Sequence, residues 1–257
     1  MDKKIVFFDI DGTLVDANKE VPASTKKAIK MLQDKGIIVA LSTGRPPFLY
    51  EHIRKELQID TYISFTGQHV VFEGQLIYSK PIEERIVTSL YNDAMKQNYP
   101  MMLMSDSEMI ATIDDHPHMI EGLEPLKYDY PPLHHTFHET ETIYQILLFL
   151  EEEYEETFLR PYDSCQFIRW HKYACDILPS GGSKIVGVEK VLEAASISNN
   201  HAYAFGDGMN DLEMIEHIGT GIAMGNAVQP LKDIAQFTTT DVDQDGVWNA
   251  LKKLSLI

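Results

Sequence analysis

The run Ile5-Val6-Phe7-Phe8, followed at once by Asp9-Ile10-Asp11-Gly12-Thr13, constrains this chain more than any other stretch. Four apolar residues without alternation suit a strand covered on both faces, and the abrupt polar turn marks the edge where it ends. A helix reads next: Ser24 suits its cap, Ala28, Met31 and Leu32 share one face, and Gly36 closes it. Ile37-Ile38-Val39-Ala40-Leu41 then forms a second apolar run that ends in Ser42-Thr43-Gly44. Strand, helix and strand within about 40 residues make a βαβ unit.

The C-terminal third repeats the alternation: Lys184 to Ala195 helical, Ala202 to Phe205 a strand, Asp211 to His217 helical, Gly221 to Met224 a strand. Both ends therefore predict one doubly wound, mainly parallel, Rossmann-like α/β sheet. Between them the pattern changes. A helix at Glu84 to Gln97, strands at Met101 to Met104, Met109 to Ile113, Cys165 to Trp170 and Tyr173 to Leu178, and a Pro/His-rich stretch predict an inserted α+β domain. The expected division is 1–82 plus 181–257 for the α/β core and 83–180 for the insertion.

Charge narrows the partners. Against 39 acidic residues stand 22 basic ones, a formal charge of −17 with no basic patch, so nucleic acid and anionic membrane are not expected. Two cysteines, Cys165 and Cys175, cannot build a disulfide framework or a four-ligand zinc site. Asp9 and Asp11 interrupt the N-terminal apolar run too early for a signal peptide, and no stretch approaches the roughly 20 apolar residues of a membrane span. A cytoplasmic location is the expectation; oligomeric state is not read.

Ligands of a parallel sheet bind beyond the carboxyl ends of its strands. Three polar segments end the apolar runs there: Asp9-Ile10-Asp11-Gly12-Thr13, Thr43-Gly44-Arg45, and Gly206-Asp207-Gly208-Met209-Asn210-Asp211. Any one could be turn chemistry. Together they gather Asp9, Asp11, Asp207 and Asp211, which would repel one another unless a cation sat among them, and oxygen donors favour a hard ion, Mg²⁺ first.

Asp-Ile-Asp-Gly-Thr-Leu from Asp9, Ser-Thr-Gly-Arg from Ser42, Lys184 after Gly-Gly-Ser, and Gly-Asp-Gly-Met-Asn-Asp from Gly206 resemble the four motifs of the haloacid dehalogenase superfamily. The long segment between the second motif and the lysine resembles its Cof-like sugar-phosphatase branch, whose α+β cap is inserted there. The resemblance implies a phosphatase of small phosphorylated metabolites with Asp9 as nucleophile. Mg²⁺ would be held by the Asp9 side chain, the Asp11 carbonyl and Asp207; phosphoryl oxygens by Thr43, Gly44, Lys184 and Asn210. Asp211 would orient Lys184 or a metal-bound water, and Arg45 would face the substrate entrance. Asp11 would act as general acid and base, with an elevated pKa. In place of the branch's usual Asn-Gly after the third strand, Tyr62-Ile63-Ser64-Phe65, stands Thr66-Gly67-Gln68.

A phosphomutase or phosphotransferase, or a phosphometabolite sensor without turnover, would carry the same motifs. Other chemistries fit less well. Asp9-x-Asp11-Gly12 has its glycine at the fourth position of a calcium loop where the sixth is needed, and Asp241-x-Asp243-x-Asp245-Gly246 reaches Lys252 where a glutamate is needed, so Asp245 reads as a helix cap. Gly206-x-Gly208-x-x-Asp211 lacks the third glycine of a dinucleotide fingerprint. His116, His118, His134, His135 and His138 read as a solvated loop or, alternatively, a metal site in the insertion. Met101, Met102 and Met104 read as insertion core.

Overall fold

The computed structural model describes residues 3–126 and 129–257; Met1 and Asp2, part of the N-terminal stretch read above, lie outside these. Two compact units account for the chain: 1–45, 49–79 and 183–257 form the first, 46–48 and 80–182 the second. In chain order the first unit begins with β1 (Ile5–Phe8), α1 (Ala23–Asp34), β2 (Ile38–Ser42), α2 (Glu51–Leu57), β3 (Thr61–Ser64), β4 (His69–Phe72) and β5 (Gln75–Ser79). The second holds α3 (Glu84–Lys96), β6 (Met101–Met104), β7 (Met109–Ala111), α4 (Pro117–Leu123), α5 (Phe137–Thr140), β8 (Gln145–Phe149), α6 (Glu152–Leu159), β9 (Cys165–His171) and β10 (Ala174–Pro179). The first resumes with α7 (Lys184–Ala195), β11 (Ala202–Gly206), α8 (Leu212–His217), β12 (Thr220–Ala223), α9 (Gln229–Ile234), β13 (Phe237–Thr238) and α10 (Gly246–Lys253).

The first unit's sheet runs β13-β12-β11-β1-β2-β3-β4-β5, parallel as far as β3 and antiparallel through the β3-β4-β5 meander. Central β1 is buried at every residue, as its unbroken apolar run requires. From β1 the chain moves outward through α1 to β2, whereas from β11 it moves the other way through α8 to β12. Right-handed crossovers therefore put α1 and α8 on opposite faces, and the strand order reverses between β1 and β11. Helix contacts agree: α1 packs with α10 and α2, and α8 with α7 and α9. The β4-β5 hairpin is absent from the sequence reading, although Gly74 at φ +77° marks its turn; its outer strand, Gln75–Ser79, leaves Leu76 and Ile77 exposed.

The second unit is an antiparallel sheet ordered β7-β6-β8-β10-β9. Met101, Leu103, Ile146, Leu148 and Ile177 pack with Val87, Leu90 and Ala94 of α3 and Phe158 of α6. Met102 and Met104, on the alternate face, are buried as well. Strand β8, buried throughout, is missed because its apolar run, Ile146 to Leu150, merges into the acidic α6 without a turn residue.

Two caps differ from expectation. Helix α1 starts after Pro22, which has no side chain to cap with, and Ser24 Oγ is buried without a partner. Asp245 does precede α10, but at φ +59° and without a side-chain cap bond. No helix among the described residues is long and apolar enough to cross a membrane.

Candidate active site

Asp9 follows β1 directly, and its N–H donates to the Phe205 carbonyl at 3.0 Å, extending the β1-β11 ladder by one residue. That bond fixes the carboxylate at the sheet's carboxyl edge. The chain then turns sharply: Leu14 and Val15 N–H both bond the Ile10 carbonyl, and Gly12 sits at φ +74°. Glycine is required there twice over, since a Cβ would lie 2.2 Å from Asp207 Oδ2.

At this edge Lys184, with a side chain wholly removed from solvent, places its ammonium 2.6 Å from both Asp9 Oδ1 and Asp211 Oδ1. Asp211 Oδ2 accepts the N–H groups of Asp207 and Gly208, each at 3.0 Å. Both Asp211 oxygens are thus committed to protein donors. Burial would lower the Lys184 pKa, but Asp9 and Asp211 outweigh it and push the ammonium up to about 12. Asp9 is pushed up to about 7 by burial and by Asp211 and Asp207, against the pull of Lys184. Burial and Asp211 push Asp207 up to about 6.

Three acidic residues, Asp9, Asp207 and Asp211, offer oxygens within 4.8 Å of one another. Their oxygen-only donors and mutual repulsion fit a hard divalent cation. Since Asp211 is taken by Lys184 and two amides, Asp9 and Asp207 are the carboxylates left to face one. Asp207 Oδ1 already accepts from Thr13 Oγ1 at 3.2 Å.

Asp11 departs from expectation. Its carboxylate lies between Arg45, at 2.7 and 2.5 Å, and Lys19 Nζ, at 2.6 Å. Burial raises its pKa, but these cations outweigh it and hold the group below its ordinary value, so the elevated value expected above is wrong for this conformation. Arg45, expected to face an entrance, is occupied by Asp11. Lys19 was missed: Asp16 accepts the Asn18 and Glu20 N–H groups and folds the turn back toward Asp11, an arrangement with no periodic signature.

Thr43 is buried after β2, its hydroxyl oxygen accepting the Arg45 N–H at 3.1 Å. Gly44 is approached by Thr66 Oγ1 and Asn210 Nδ2, at 3.4 and 3.9 Å from where a Cβ would stand. Asn210 itself is exposed. The substituted loop after β3 therefore lies beside the Thr43-Gly44 segment, with Phe65, Thr66 and Gly67 at φ +49°, +54° and +95° and the Thr66 N–H on the Thr43 carbonyl at 3.1 Å. A β-branched residue is strained in that left-handed region, which asparagine tolerates better.

Among the described residues the histidines gather into no metal site; His134 and His135 are exposed as a solvated loop predicts, whereas the other three are held in place. His116 Nδ1 caps α4 through the His118 N–H, His118 stacks on Tyr173 and His138 on Tyr91, with ring centroids 4.1 and 3.8 Å apart. Both cysteines are free and buried, their thiols pushed up to about 11 and 12 by burial.

The profile of the haloacid dehalogenase-like hydrolases matches residues 6–251. The chain belongs to that family. It is 46% identical over the full length of both chains to a candidate phosphatase of Bacillus subtilis (strain 168), YkrA. A hypothetical protein of Geobacillus kaustophilus HTA426, of known structure, is 46% identical with a TM-score of 0.97, over 99% of this chain and 100% of that one. The subclass IIB sugar phosphatase BT4131 is similar over 99% of this chain and 100% of its own, at 26% identity and a TM-score of 0.80. These likenesses agree with the Cof-like resemblance and with the fold of α/β core plus separate antiparallel sheet.

Proposed function

We propose that this haloacid dehalogenase-type phosphatase hydrolyses small phosphorylated metabolites, sugar phosphates first, through a phosphoenzyme on Asp9 and with Mg²⁺. The observation that carries this reading is the buried Asp9 carboxylate, with one oxygen on Lys184 and its neighbours Asp207 and Asp211 close enough to share a cation. In the first step an Asp9 oxygen bonds phosphorus as the bond to the leaving oxygen breaks. Lys184 orients Asp9 and offsets the negative charge drawn together there. The Thr43 hydroxyl and Gly44 N–H would donate to phosphoryl oxygens, with Asn210 helping. Mg²⁺, held by Asp9, the Asp11 carbonyl and Asp207, would neutralise substrate charge.

In the second step water attacks the aspartyl-phosphate, the bond between Asp9 and phosphorus breaks, and Asp11 accepts the water's proton. An ionised Asp11 suits this half of the cycle. Donating a proton to the leaving oxygen requires Arg45 and Lys19 to release it first. By resemblance the second unit is a cap that sets which leaving group is accepted. The test is phosphate release from p-nitrophenyl phosphate with Mg²⁺: Asp9→Asn lowers it at least about 10³-fold. Phosphate ester binding without turnover in the wild type would instead make the chain a sensor.

A further inference from the structure

A fourth loop reaches the same edge of the sheet, and none of the motifs includes it. It follows β12 as Met224-Gly225-Asn226-Ala227-Val228 and wraps the backbone around Asp207. The Met224 N–H donates to the Gly206 carbonyl at 3.0 Å and the Val228 N–H to the Asp207 carbonyl at 2.9 Å. From its middle, Asn226 Nδ2 donates to the Gly12 carbonyl at 2.8 Å and lies 3.5 Å from Asp207 Oδ2. Its Oδ1 accepts the Val242 N–H at 2.9 Å, so the amide cannot rotate without breaking a bond at each end. One side chain thus ties the Gly12 turn, the Asp207 carboxylate and the C-terminal segment together. Thr13 holds the other Asp207 oxygen.

We propose that Asn226 is the positioning residue of the divalent-cation site: it fixes the Gly12 turn against Asp207 and presents the Asp207 carboxylate for metal. Carboxylates that ligate metals are oriented by outer hydrogen bonds, and loss of one costs about 10- to 100-fold in affinity. The Gly12 bond dominates, being shorter and directed at a carbonyl that the turn leaves unpaired by backbone. An exposed asparagine with three partners would be a costly way merely to pin a surface loop, since each contact orders a side chain that solvent would otherwise solvate. This inference rests on the metal-dependent reading above.

The test is Mn²⁺ titration of the full chain, followed by the electron paramagnetic resonance of free Mn²⁺, alongside melting in EDTA and in Mg²⁺. Asn226→Ala raises the Mn²⁺ dissociation constant about 10-fold or more and shrinks the Mg²⁺-induced rise in melting temperature. Its melting temperature in EDTA, where no metal is held, falls far less. Thr13→Val, nearly isosteric, shifts the constant in the same direction. Should Asn226→Ala not fold, Asn226→Ser answers by the same criterion. A dissociation constant within threefold of the wild type overturns the proposal. Mn²⁺ binding by the wild type without phosphate release would overturn the phosphatase reading and leave this one standing; no Mn²⁺ binding by the wild type would overturn both.

Discussion

Each unit holds a carboxylate whose pKa rises, Asp9 buried and Asp176 half-buried, but in different company. Asp9 in the first unit is pushed up to about 7 amid two further carboxylates and one ammonium. Asp176 in the second is pushed up to about 6 by burial, against neutral donors alone: the Trp170 indole N–H at 2.8 Å, and Gln145. A parallel sheet collects loops from distant parts of the chain at one edge and so concentrates charge there. An antiparallel sheet of neighbouring strands pairs Asp176 with whatever stands beside it. The first arrangement could hold a divalent cation among its carboxylates, whereas the second is complete with neutral donors.

The comparison breaks most visibly at Lys184. Lys184→Met strands two buried carboxylates without their counter-ion, and urea unfolding in EDTA is expected to show a loss of about 3 kcal/mol, with phosphate release down at least about 10²-fold. Unchanged stability would mean that the ammonium does not hold the acidic residues together. Next in size is the cation itself: at 100 times its dissociation constant, Mg²⁺ adds about 2.7 kcal/mol to folding, and EDTA abolishes turnover. Asp207→Asn cancels the Mg²⁺ effect, while Asp176→Asn keeps it; equal responses in scanning calorimetry would erase the contrast.

The pH response sharpens the difference further. Because the folded pKa of Asp176 lies above the ordinary 3.8 of an aspartate, the folded state binds that proton more tightly than the unfolded chain. Its favourable contribution is present below about pH 4 and is lost as pH rises through about 6. Asp176→Asn removes this slope, so the variant is expected to gain on the wild type between pH 4.5 and 7.5 in urea midpoints measured with EDTA. The smallest effect lies at the loop beside Gly44, where Thr66→Asn relieves left-handed strain and adds about 1 kcal/mol. No gain there would show that threonine carries no more strain than asparagine in that left-handed conformation.

Much of the first unit is written in local pattern. The strands at Ile5, Ile38, Ala202 and Thr220 and the helix Lys184–Ala195 follow from apolar runs, helical spacing and polar breaks, and β1 lies between β2 and β11 as parallel winding demands. The residues that the motifs nominated, Asp9, Asp207, Asp211 and Lys184, meet at one edge. Less legible were Lys19, Arg45 as a partner of Asp11, and Asn226. Asn226 follows a strand of the same parallel sheet, so reading every strand end, and not only the acidic ones, would have found it. The buried β8 was missed because its apolar run does not alternate and merges into the acidic α6, and β5 was missed although the Glu73-Gly74 turn precedes it.

What the sequence alone determined is what depends on near neighbours: which runs become strands, where they end, and which polar groups those ends present. Only the tertiary structure decided which charge faces which. The Lys19 and Arg45 contacts to Asp11 span 8 and 34 positions, Lys184 to Asp9 spans 175, and Asn226 to Gly12 spans 214. Periodicity acts over a turn of helix or a pleat of strand. Coulomb energy and hydrogen bonding act over ångströms of space, so the protonation and aim of each group were set only when the sheet brought distant loops together.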